Sequence, residues 1–141
     1  MKRGIALFLA LVLILGTLPA TAFATGGTLE GEGTKDSPYQ IRDAEDLMAF
    51  GALVDEGNTS ICGELLSSID LTGYDWAAIG GIKDKPYSGT FDGHGYTVTL
   101  DITVNADWTH SYVGLFDTLE RATVKNVRVE GKVTAEEDSG D

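Results

Sequence analysis

Apolar and polar residues alternate with a period of two on both sides of a short polar corner at Asp92-Gly93-His94-Gly95. Before the corner, Tyr87, Gly89 and Phe91 alternate with Ser88 and Thr90. After it, Tyr96, Val98 and Leu100 alternate with Thr97, Thr99 and Asp101. A strand sends successive side chains to opposite faces, so this pattern predicts two half-buried strands. The glycines predict a tight turn between them, because only Gly takes positive φ without steric cost.

One segment has a helical period. Ala44, Leu47, Met48, Phe50, Gly51 and Val54 include i, i+3, i+4 and i+7 spacings, which predicts a helix over 43–56 with one apolar face. Asp43 is its expected N-cap, Asp46 puts negative charge in the first turn, and Gly57 fits the C-terminal stop. The rest reads as short extended pieces. Pro38 to Ile41 is one. Ser60 to Leu71 holds one or two strands. Tyr112 to Phe116 is a short buried strand. Ala122 to Val133 alternates again, slipping out of step near Asn126. Residues 25–36 read as a flexible Gly- and Thr-rich lead-in, Val104 to Thr109 as a loop, and 134–141 as an acidic tail. Val98 and Val124 stand 26 residues apart in similar strand contexts, as successive layers of a repeat would.

Residues 1–24 have the pattern of an export signal. Lys2 and Arg3 precede the apolar run Ile5 to Leu15, and Ala22-Phe23-Ala24 is a cleavage motif. An uncleaved anchor is the alternative. The run is shorter than the roughly 20 residues a spanning helix needs, so no membrane span is expected after cleavage. Two of the 10 basic residues leave with the signal while all 22 acidic ones stay. Such a chain does not attract nucleic acid or anionic lipid by charge. Cys62 is the sole cysteine, so no internal disulfide is possible, and a small buried hydrophobe is its expected role. Asn58-Thr59-Ser60 matches a glycosylation sequon, which matters only in a eukaryotic host.

Four blocks carry a resemblance: residues 31–50, 65–80, 87–100 and 112–133. In this order they resemble the N-terminal part of bacterial surface proteins of the pectin-lyase-like group, which carry glycine-rich GLUG motifs. The resemblance implies a mainly β fold: the start of a right-handed parallel β-helix, with the 43–56 helix capping its first layer and the module running over 37–133. It also implies secretion or display at a bacterial cell surface. Two positions depart from the family pattern, Ser68 and Ala78, where Asp and Pro are usual. The family continues with further coils, so the chain is expected to be the front of a longer protein. Otherwise its acidic end guards the last strand edge.

His94 lies in Gly-His-Gly, a tripeptide also found in polygalacturonase active sites, which are β-helices. No other motif of those enzymes is present, and turn chemistry accounts for Asp92, Gly93, His94 and Gly95. Asp70 with Asp75, and Asp92 with Asp101, are candidate carboxylate pairs for glycoside cleavage or a calcium site. Turn capping is the simpler role, and no calcium-loop motif supports a cofactor or a metal. Trp108 and His110, in a polar stretch, are the candidate ligand-binding residues; Trp76 beside Ile79 reads as core. No serine nucleophile, zinc or phosphate-loop motif occurs. The expectation is a non-enzymatic, adhesin-like or stalk module presenting a face to glycan or protein. A carbohydrate-active lyase or hydrolase fragment and a structural spacer are the alternatives. Carboxylates and a basic residue grouped along a groove on one parallel sheet favour the enzyme. A broad face with exposed Trp108 favours binding.

Overall fold

The computed structural model describes residues 28–105 and 113–136. The elements are β1 (Tyr39–Ile41), α1 (Ala44–Asp55), β2 (Gly63–Leu65), β3 (Ile69–Asp70), β4 (Thr90–Asp92), β5 (Thr97–Asn105), β6 (Thr123–Lys125) and β7 (Arg128–Glu136). They form two all-parallel sheets, in the orders β1-β2-β4-β6 and β3-β5-β7. A third line of contact runs through the parallel bridges Ile79↔Phe116 and Tyr87↔Leu119. The chain therefore makes circuits. It visits the first sheet, then the second, then the bridge line, and returns one layer further on. The protein is mainly β with one helix, and its described strands do not close into a barrel.

Parallel register stacks like residues. On the first sheet, Tyr39, Gly63, Phe91 and Val124 share one row. On the second, Ile69, Val98 and Val129 share another. Ile41, Leu65, Ile69, Leu71, Ile79, Tyr87, Phe91 and Val98 are buried between them. Phe50 is the helix's main contribution. Its ring meets Tyr39, Tyr87 and Phe91 edge-on at 5.8–6.5 Å between centroids. Phe116 closes the cluster, stacked on Tyr87 and edge-on to Phe91.

The helix starts where its caps predict. The Asp43 side chain accepts from Asp46 N at 2.8 Å. Asp46, only 2% exposed, accepts from both Arg42 N and Arg42 Nε at 3.0 Å. A carboxylate can be buried when it is paired and hydrogen-bonded in this way. The helix follows β1 in the first circuit, and the second sheet begins only with β3 in the next.

Several expectations need correction. Val98 and Val124 are not equivalent positions: Val98 pairs with Val129 in the second sheet, and Val124 with Phe91 in the first. Loops of unequal length between corners hide the true register. Val104 lies in β5 rather than a loop, because it pairs with Ala135 of β7. By the same pairing β7 runs to Glu136, into the segment read as an acidic tail. Of the 112–116 segment only the bridge residue Phe116 pairs, among the described residues, while Val113 is exposed. Residues 28–36 are tied down rather than flexible. Glu30 bridges Gln40, Cys62 N donates to Gly33 O at 2.7 Å, and Leu29 packs on the core. Residues 1–24, Trp108, His110 and 137–141 lie outside the described residues.

Candidate functional site

Parallel register also builds a polar row on the outer side of the first sheet. Gln40, Glu64, Asp92 and Lys125 stand opposite one another on β1, β2, β4 and β6. Two carboxylates side by side on neighbouring strands repel, so their partners decide whether the row is stable. Lys125 Nζ lies 3.4 Å from Asp92 Oδ2, and His94 Nε2 lies 2.8 Å from Glu64 Oε2. Glu64, Asp92, His94 and Lys125, with Lys35 and Thr123, line a shallow groove of about 420 Å³.

Local backbone geometry holds His94 in this row. His94 and Gly95 take φ of 47° and 82°, and Tyr96 N donates to Gly93 O at 2.8 Å. This is the pattern of a type I′ turn with positive φ at both central positions. Positive φ therefore falls on His94 and Gly95, whereas Gly93 serves a different need. A Cβ at Gly93 would sit 2.5 Å from Asn126 O and Val127 Cα of the next layer. Asn126 itself has φ 54°, which explains the slip in alternation there. Asp92 ties the corner together. Its Oδ1 accepts from His94 N at 3.0 Å and Asn126 Nδ2 at 3.1 Å. The His94 N–H, the Asn126 amide and Lys125 together hold the Asp92 carboxyl below its ordinary range.

A second groove, of about 400 Å³, lies over the second sheet. Tyr74, Asp75 and Trp76 form one wall and Asp101, Ile102 and Thr103 of β5 the other. Tyr74 is 37% exposed, and its hydroxyl donates to Glu45 Oε1 at 2.8 Å. Trp76 is half-buried against the core, with Nε1 donating to Gly114 O at 3.0 Å. Lys132 Nζ reaches Asp101 Oδ1 at 3.5 Å.

The carboxylate pairs read from sequence are thus rearranged. Asp92 and Asp101 belong to different sheets. Asp70 caps its own corner, accepting from Thr72 N at 2.9 Å, and hydrogen bonding from the Thr72 side chain and backbone lowers its pKa. Asp75 and Asp101 share a groove instead. Glu64 and Lys125 went unnoticed in the sequence, because only strand register reveals that they flank Asp92. Tyr87 is core: its hydroxyl donates to Ile61 O at 2.9 Å, and burial pushes its pKa up. Among the described residues, no three His, Cys, Asp or Glu side chains converge to hold a metal ion, and no helix is long and apolar enough to cross a membrane.

No family model matches the chain. It is 32% identical over 108 residues to a protein of Evansella cellulosilytica provisionally named a Gly-rich membrane protein, covering 72% of this chain and 12% of that protein. It is 28% identical over 124 residues to halomucin of Haloquadratum walsbyi, covering 78% of this chain and 1% of that protein. The chain thus spans only a small part of these relatives. Among solved structures it resembles a Bacteroides ovatus chain provisionally named an immunoglobulin A1 protease. The TM-score is 0.57 at 22% identity, over 79% of this chain and 35% of that one. The likeness is one of fold.

Proposed function

We propose that this is a non-catalytic, exported surface module, built as the start of a right-handed parallel β-helix of the pectin-lyase-like, GLUG-bearing kind, that binds neutral glycan. Circuits through two parallel sheets and a line of parallel bridges support the β-helix reading. The signal-like residues 1–24 and the names of the two relatives support export to the cell surface.

The groove at Tyr74 and Trp76 carries the binding reading. Aromatic side chains with a polar handle suit ligands that are apolar on one face and hydroxylated at the edge. Asp75 and Asp101 add acceptors for hydroxyl hydrogens. A net charge of −12 disfavours polyanionic chains. The test is an array of neutral and uronic-acid oligosaccharides probed with the chain and with Tyr74→Ala, a surface change. Binding to neutral oligosaccharides that falls at least tenfold in the variant is expected. No binding, or binding indifferent to Tyr74→Ala, would overturn the proposal.

One observation favours a carbohydrate-active enzyme: Glu64, Asp92, His94 and Lys125 line one groove on one parallel sheet. Against it stands the state of these groups. Asp92 Oδ1 already accepts from His94 N and Asn126 Nδ2, and these donors lower the carboxyl's pKa, which leaves it a poor acid and a weak base. Lys125 is engaged with Asp92. Release of reducing ends or unsaturated uronates from polysaccharide by the purified chain, lost in Lys125→Met, would replace the binding reading with a catalytic one.

A further inference from the structure

The two aromatic residues of the groove over the second sheet are held in different ways. Trp76 is anchored by packing on the core and by its Nε1 bond to Gly114 O. Tyr74 stands more exposed. Its backbone is fixed by a turn: Tyr74 N donates to Leu71 O at 3.1 Å, with Gly73 at φ 81°. Asp70, accepting from Thr72 N, pins the same turn. These bonds fix the main chain and leave the ring free to swing about its own side-chain torsions. The ring's direction is set by Glu45 in the first turn of α1, whose Oε1 accepts from the Tyr74 hydroxyl at 2.8 Å. Glu45 itself does not line the groove.

From this geometry we infer that Glu45 is a positioning residue of the groove, holding the Tyr74 ring as the wall against which a sugar ring lies. The inference rests on the reading of that groove as a glycan site. A side chain left free must be immobilised when a ligand binds, and that ordering weakens binding. A ring already held by a hydrogen bond loses less. The same bond occupies the hydroxyl proton, so Tyr74 offers a ligand its ring face and an acceptor oxygen. The helix thereby acts on the groove as well as on the core, through one exposed side chain. The contact has its own signature. Glu45 raises the pKa of the Tyr74 phenol, first by the hydrogen bond and then by its charge, and desolvation and the charge of Asp43 add to the shift.

Two exchanges at Glu45 separate positioning from helix stability. Glu45→Ala and Glu45→Gln both remove negative charge from the first turn of α1, but Gln keeps an oxygen that can accept from Tyr74. Affinity for the neutral oligosaccharides that the wild-type chain binds should fall about threefold to tenfold in Glu45→Ala. In Glu45→Gln it should fall less than about twofold. In a Tyr74→Phe background Glu45→Ala should weaken binding no further, since the bond is already gone. Absorbance titration of the phenols reads the contact without ligand, with Tyr74 identified by the signal that Tyr74→Phe removes. Tyr74 should ionise at lower pH in Glu45→Ala than in wild type. Circular dichroism checks that each variant is folded. An unmoved phenol, equal binding by wild type and Glu45→Ala, or Glu45→Gln as weak as Glu45→Ala would overturn this inference and leave the glycan reading standing. A wild-type chain that binds no oligosaccharide would overturn that reading and this inference with it.

Discussion

Among the described residues, the first and last layers of the strand stack are built from the same kind of residue and differ in what covers them. At the first layer, α1 brings Leu47, Phe50 and Val54 down on the core, all fully buried, together with the paired carboxylate of Asp46. At the last layer, β6 and β7 leave their outer edges without a described partner strand. One row records the change: Ile69 is 3% exposed, Val98 0% and Val129 46%. The valine has not changed its chemistry along that row. What changes is whether another layer covers it, so an apolar residue stabilises this fold only where the stack continues past it.

Removing the apolar groups at each end should break the symmetry most clearly. Phe50→Ala empties the junction of Tyr39, Tyr87 and Phe91, at a cost of about 3–5 kcal/mol. That is a large share of a small domain's stability and should lower Tm by at least about 12 °C. Val133→Thr in the last described layer, where the side chain is 57% exposed, should change stability by less than about 0.5 kcal/mol, measured by denaturant melts. Similar losses from both substitutions would show that the two ends are equally closed.

How far each end was legible follows from the same contrast. The helix carries its own signals: a period, an N-cap at Asp43 and a stop at Gly57. Each of these is local, so α1 could be placed closely. The strands were legible as strands, but their pairing was not. Val98 and Val124 look alike because alternation says which face a residue takes and nothing about which neighbour it meets. The row through Glu64, Asp92 and Lys125 depends wholly on that neighbour relation. His94 stood out for its motif, yet its place follows from a positive φ and a backbone bond to Asp92. The Tyr74 groove joins two circuits, a contact that local spacing does not record.

The corner between layers should respond to acid. Asp92 has its folded pKa lowered by the His94 N–H, the Asn126 amide and Lys125. A depressed carboxyl stabilises the fold fully above its unfolded value, near 3.9, and loses that contribution as pH falls through the lower folded value. Asp92→Ala should therefore cost about 1 kcal/mol at neutral pH, a figure reduced for its partial exposure. The gap between variant and wild type should close well below pH ~4. Urea melts at several pH values read this directly. A gap that widens in acid would remove Asp92 from its assigned role.

The last expected effect has the opposite sign, and it lies at the helix-covered end. Asp55 is the last residue of α1, where the helix dipole is negative and a carboxylate is misplaced. Its Oδ1 is buried without a hydrogen-bond partner. Burial raises its pKa, and the charge of Lys85 offsets this only in part. Lys85 Nζ donates to the Asp55 backbone carbonyl, a bond that survives any change of the side chain. A carboxyl whose folded pKa lies above its unfolded one favours the fold when protonated and opposes it when ionised. Asp55→Asn should thus match wild type in acid and become more stable as pH rises through the carboxylate range. The gain at neutral pH should be about 0.5–1 kcal/mol. Thermal melts at two pH values decide it. A variant less stable than wild type at neutral pH would mean that the Asp55 charge, through Lys85, helps to hold the helix on the stack. The closed end would then owe part of its closure to an ion pair as well as to Phe50.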